Sequence, residues 1–393
     1  MFFLKPKKNK RVYLDTAAAT PVDKRVRRAL EPYLSFQFGN PGSIHQEGVL
    51  AKQAVTQARI MVAQSLVCLP EEIIFTSGGT ESNNLAIVGT ALLYEKKHGQ
   101  LGRLITTAIE HRSILEPAQY LKSRGWDIVI LPVAPAGSLD LKKLEQEITP
   151  NTALVSLGYG NNEIGTIFPV REVAKIIRRF RKNNLTTYPL FHLDACQAPR
   201  FLPLRTAKLG VDLLTINGSK IYGPKGSGVL YKRKEIEIAA VVYGGGQESG
   251  MRSGTENVAG IVGLATALSI CTKFALAESL QLSKLRDYFF TKIKKEISGV
   301  IIHGSEDNRL ANNINLTLLG VDSEWAVIQL DERGFAVATG SACSSGQNDD
   351  RHVLRALYGD LAPAEGSIRI TLGRDITSQD IDNLICALKE ISV

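Results

Sequence analysis

From about residue 71 the chain alternates short apolar runs with helix-patterned stretches, an alternation that few folds accommodate. "EIIFTS" precedes "ESNNLAIVGTALLYEKK", "RLITTAIE" precedes "SILEPAQYLKSR", "WDIVILPV" precedes "LKKLEQEI", and "TALVSLGY" precedes "VREVAKIIRRFRKN". "PLFHLDA" and "VDLLTIN" follow in turn. Runs rich in Val, Ile and Leu, separated by helices, predict a mostly parallel sheet covered on both faces. After about residue 258 the texture changes. Two long helical stretches, 258–275 and 278–297, lead to "VIIHG", "NNINLTLL", "SEWAVIQLDERG" and "SIRITLG". The expected α/β fold has a large domain over 21–257 with a mostly parallel sheet flanked by helices, and a smaller α+β domain over 258–393. Residues 1–20 are expected to pack beside the small domain.

Composition narrows the function classes. The formal charge of +8 gathers in "KPKKNKR" and "RRFRK". These runs lack interleaved aromatics and match no nucleic-acid module, so they read as solvated surface without direct nucleic-acid binding. The five cysteines, at 68, 196, 271, 343 and 386, form no CxxC and no paired spacing. They read as reduced thiols, with no metal site. No apolar run reaches membrane-spanning length, and "MFFLKPKKNK" is too short for a signal peptide. A soluble, cytoplasmic protein with no membrane partner is expected.

In a parallel sheet, ligands gather at the carboxyl ends of the strands, and those ends carry the polar residues here. "FTSGGTESNN" sets Gly78, Gly79 and Thr80 between a strand and a helix start, which is either a plain N-cap or an anion cradle of backbone N–H groups. "FHLDAC" ends a strand on Asp194, which either partners a protonated ring nitrogen or caps the next turn. "AIEHRS" offers His111, an ordinary core histidine or a ring stacked on a flat ligand. "GNNEIG" supplies Asn162, and Gln197 shares the loop of Asp194. "NGSKIYGPKGSG" places Lys220 just ahead of a Gly-Pro turn, while Lys225 inside that turn reads as solvent-facing. One ligand needs a phosphate cradle, an acid for a ring nitrogen, a ring against a flat face and a lysine for an aldehyde: pyridoxal phosphate, with Lys220 as its covalent anchor.

The chain also resembles the group I cysteine desulfurases, in the class V aminotransferase group of fold-type I pyridoxal phosphate enzymes. "FGNPGSIH", "FTSGGTESNNLA", "NNEIG", "HLDACQ", "KIYGPKGSG", "GGGQESGMRSGT" and "TGSACSSG" occur in that family's order, within a likeness running from "YLDTAAATPV" to "SIRITLGR". The resemblance implies Lys220 as the cofactor lysine, His111 as the stacking acid/base, Asp194 at the ring nitrogen, and Gln197 and Asn162 at the ring oxygen or substrate. Gly79, Thr80 and the backbone at 217–219 would hold the phosphate, with Thr255 reaching it from a second subunit, so a homodimer with shared sites is implied. Asn217 and Ser219 stand where the family has Ser and His. Arg369 would clamp the substrate carboxylate, and Asn40 and His45 would line the entrance. Cys343, in a small, polar, glycine-flanked stretch, would be the sulfur-accepting nucleophile, whereas Cys196 is expected to pack.

The implied activity converts L-cysteine to L-alanine, leaving sulfur as a persulfide on Cys343. The sulfur then passes to an acceptor protein, an iron–sulfur scaffold or a tRNA-thiolation relay. Two rivals are a selenocysteine lyase or other class V enzyme, and a non-catalytic sulfur-pathway partner that retains the fold.

Overall fold

The computed structural model describes residues 11–340 and 351–392. Its strands are β1 (Val12–Tyr13), β2 (Ile73–Thr76), β3 (Arg103–Thr107), β4 (Asp127–Leu131), β5 (Thr152–Gly158), β6 (Leu190–Asp194), β7 (Leu213–Asn217), β8 (Gly228–Lys232), β9 (Val300–Ile302), β10 (Asn313–Leu318), β11 (Phe335–Ala336), β12 (Ala338–Thr339) and β13 (Ile368–Thr371).

Seven strands form the large sheet in the order β2-β8-β7-β6-β5-β3-β4. The run from β4 to β7 is parallel throughout, and β8 is antiparallel to both of its neighbours. The mostly parallel α/β sheet is as expected. β8 follows a glycine-rich loop and returns along β7, a reversal that the strand–helix rhythm does not announce.

Strand alternation divides the core between the two faces of the sheet. Leu213 and Leu230 join Leu85, Tyr94 and Trp126 on one side. Leu214, Ile216, Val229 and Tyr231 pack into the larger cluster on the other side, against the helices that carry Val62, Ile177 and Leu264. The smaller unit is built on the antiparallel sheet β12-β13-β10-β9, with β1 paired in parallel to β11 beside it. A separate apolar cluster fills it, including Phe289, Leu316, Leu330 and Ile370.

The helical stretches expected at 258–275 and 278–297 are one continuous helix, Val258–Glu296. Its first half, to Cys271, belongs to the large core. From Leu282 it belongs to the small one. Contrary to the expectation from sequence, this helix is long and apolar enough to cross a membrane. Apolar positions at its two ends lie in the two cores, whereas Phe274, Leu276 and Leu280 between them are exposed.

Candidate active site

At the carboxyl ends of the parallel strands lies a cavity of about 200 Å³. The segments leaving β2, β3, β5, β6 and β7 each supply part of its wall. The helix Gly79–His98 starts after β2 and brings Gly79 and Thr80 to the wall. After β3, His111 caps the helix Arg112–Ser123. Asn162 follows β5, Asp194 ends β6 with Gln197 beyond it, and Asn217 ends β7 with Lys220 in the next turn. Arg369 reaches the same cavity from β13 of the small unit. Nine of the singled-out residues therefore meet in one place: Gly79, Thr80, His111, Asn162, Asp194, Gln197, Asn217, Lys220 and Arg369.

The charged groups are tightly held. Asp194 accepts the Asn83 amide N–H at 2.7 Å on Oδ2 and the Cys196 backbone N–H at 2.9 Å on Oδ1. Arg369, 2% exposed, donates from Nη2 to Asp15 at 2.8 Å. Its Nε is buried with no hydrogen-bond partner among the described residues. Lys220 Nζ donates to the carbonyl of Ala18, and Gln197 Nε2 to that of Ala17 at 3.0 Å, so both lean on the segment after β1. His111 accepts the Ser113 backbone N–H on Nδ1 at 3.0 Å. Burial holds His111 below its ordinary value; Asp194 opposes this, while Lys220, Arg369 and Arg112 reinforce it. The ring is therefore neutral at neutral pH.

Other expected residues lie elsewhere. Ser219 does not line the cavity; its hydroxyl donates to Asn217 Oδ1 at 3.1 Å and its carbonyl accepts from Thr20 at 2.8 Å. Thr255 is exposed and lines a separate recess with Ser77, Ser227 and Arg252. Asn40 and His45 are also exposed, and His45 caps the helix Gln46–Leu66 while pairing with Glu47 at 3.0 Å. Cys343 lies outside the described residues. Burial raises the thiols of Cys68 and Cys271 to about 12, and burial, with Asp194 adding to it, holds that of Cys196 well above its ordinary value. All three are poor nucleophiles.

Four contributors escaped the sequence reading. Asn83 and Ser113 are buried polar side chains that join Asp194 to His111. Asp15 orients Arg369. Glu110 is buried in the cavity wall, with Oε1 accepting from Thr107 at 2.7 Å. Asn83 stands three residues after Thr80, on the helix face that Thr80 presents to the wall, and that spacing was the one available signal.

The site can therefore hold an anion at a helix start, a ring nitrogen at Asp194, a flat face at His111, an aldehyde at Lys220 and a carboxylate at Arg369. Residues 12–384 match the aminotransferase class-V family. The cysteine desulfurase IscS of Dictyoglomus turgidum is 43% identical over 380 residues, covering 97% of this chain and 94% of that protein. Among solved structures, a NifS-like protein superposes with a TM-score of 0.89 at 35% identity, covering 97% of this chain and 99% of that one. SspA in complex with cysteine superposes at 0.77 with 34% identity, covering 92% and 98%. With the strand-end constellation in place and likeness along nearly its whole length, the chain belongs to the class-V aminotransferase family and, within it, to the cysteine desulfurases.

Proposed function

We propose that this chain uses pyridoxal phosphate to convert L-cysteine to L-alanine, transferring the sulfur to Cys343. The observation that carries this is the convergence of Lys220, Asp194, His111 and Arg369 on one cavity. The donor set fits the cofactor. Gly79 and Thr80, at the start of a helix and in the cavity wall, would hold the phosphate through backbone N–H groups. Asp194, an acceptor already fixed by two donors, suits a protonated ring nitrogen. Asn162 and Gln197, in the same wall, would contact the ring oxygen or the substrate. Asn217 lines the wall while Ser219 braces it from behind. The bound cofactor supplies an electron sink next to the substrate's Cα.

The protein groups do the rest. Arg369, positioned by Asp15 and with Nε unpaired, holds the substrate carboxylate. Lys220 Nζ takes the α-proton and returns one. The neutral His111 ring covers the flat face and offers a proton donor. The Cys343 thiolate attacks the substrate sulfur. An S–S bond forms as the C–S bond breaks, and the carbon skeleton gains a proton and leaves as alanine. The persulfide is then delivered to an acceptor, an iron–sulfur scaffold or thiolation relay, in the cytoplasm.

A homodimer with shared sites fits two observations. Leu34, Phe36, Phe38 and Ile44, on the segment that also holds Asn40 and His45, are 68–96% exposed. Thr255 lies outside its own chain's cavity. A second copy covering this segment would bring Thr255 to the phosphate and His45 and Asn40 to the entrance of the neighbouring site.

Reductive trapping of the cofactor followed by peptide mapping tests the site. The label is expected on Lys220 and absent from Lys220→Ala; label on Lys225 would reject the assignment.

A further inference from the structure

His111 does not act alone. Asp194 Oδ2 accepts from Asn83 Nδ2 at 2.7 Å, and the same amide nitrogen reaches Ser113 Oγ at 2.8 Å. Ser113 Oγ lies 2.8 Å from His111 Nδ1. The Ser113 backbone N–H donates to that nitrogen too. Asn83 is fully buried, and Ser113 is 7% exposed.

The polarity of this chain follows from its end. A carboxylate can only accept, so Asn83 must turn its NH₂ group toward Asp194. The second hydrogen of that group then faces Ser113 Oγ. The Ser113 backbone N–H can only donate, and it already occupies Nδ1 at 3.0 Å, so the serine hydroxyl, which accepts from Asn83, turns its own hydrogen to the same nitrogen. Two donors thus converge on Nδ1, which cannot itself carry a proton without confronting them. In a neutral imidazole the proton then sits on Nε2. We propose that Asn83 and Ser113 are positioning residues, forming a hydrogen-bond relay from Asp194 that fixes His111 as its Nε2–H tautomer. The relay deepens the functional reading above and rests on it for the role of His111.

The consequence is specific. His111 caps its helix through Nδ1, so protonating that nitrogen would break the cap and oppose the serine hydroxyl together. His111 is thereby committed to donating from Nε2, and the charge state of Asp194 is felt at the ring through two neutral side chains. Among the described residues, the charged or titratable groups around it are Asp194, Lys220, Arg369, Arg112, the chain neighbour Glu110, Cys196 across the cavity, and Glu116 and Tyr120 on its own helix.

The test is long-range proton–nitrogen correlation NMR on the cofactor-loaded protein, labelled with ¹⁵N-histidine and assigned with His111→Gln. The wild type is expected to show His111 as Nε2–H, with no titration across the neutral range. Ser113→Ala and Asn83→Ala are each expected to move the His111 titration upward by about half a unit or more. Both should lower cysteine turnover about tenfold. Ser113→Thr, which keeps the hydroxyl, should restore both readouts. An Nδ1–H signal in the wild type would overturn the relay whether or not any variant folds, as would a ring signature unchanged in Ser113→Ala. A wild type that makes no alanine would sink the functional reading while leaving the tautomer measurable.

Discussion

Two single residues at the cavity wall give sharp expectations. Burial, opposed by the Thr107 hydroxyl and reinforced by Asp194, raises Glu110 from 4.5 to about 8. The folded protein therefore holds a proton that the unfolded chain releases between those values. Stability from this group is fully present below about pH 4.5 and falls as pH climbs to about 8. Measured against Glu110→Gln, which cannot ionise, wild-type stability should decline across that window by up to a few kcal/mol and then level off. Urea denaturation over a pH series checks this, and parallel curves for the two proteins would contradict it. Gly79 makes a steric prediction. A Cβ there would lie 2.7 Å from Cys196 Sγ, so Gly79→Ala should cost about 1–3 kcal/mol. Cys196→Ala clears the space, and the double variant should recover most of the loss; purely additive costs would show that the two do not compete.

At the scale of elements, the helix Val258–Glu296 ties the molecule together. Glu278, midway along it, accepts from Arg200 at 2.7 Å and lies 3.5 Å from Arg374. Arg200 is 2% exposed and also donates to Thr16 and to the carbonyl of Leu372. Removing the carboxylate leaves a buried guanidinium uncompensated. Glu278→Ala should thus cost about 3–5 kcal/mol. It should also lower turnover, because the segment of Thr16 carries Ala17 and Ala18 in the cavity wall. A loss of stability below about 1 kcal/mol would contradict this role. The same stretch explains why one helix reads as two in the sequence. Between Cys271 and Glu278 no position is buried, because the helix there bridges two cores through solvent. The apolar periodicity lapses although no Gly or Pro breaks the backbone. β8 was illegible for another reason: its antiparallel return depends on a glycine loop rather than on a crossover helix.

For the whole molecule, the sheet and most of the residues that line its cavity were legible together, since parallel strands deliver their last residues to one edge and the motifs sit at those ends. The supporting shell was not legible. Asn83, Ser113 and Asp194 lie up to 111 positions apart, and only packing brings a buried helical Asn between a strand end and a helix cap. Thr255, Asn40 and His45 are exposed and lie outside the cavity, so any role for them rests on the proposed homodimer. Sulfur transfer through Cys343 is the central claim, and its most direct measurement is a single-turnover incubation with L-cysteine in the absence of reductant. Alanine and protein-bound persulfide are quantified together, and the modified peptide is mapped. Alanine and persulfide should appear in equal amounts, with the sulfur on Cys343. Alanine without protein-bound sulfur, or persulfide on Cys196, would contradict it.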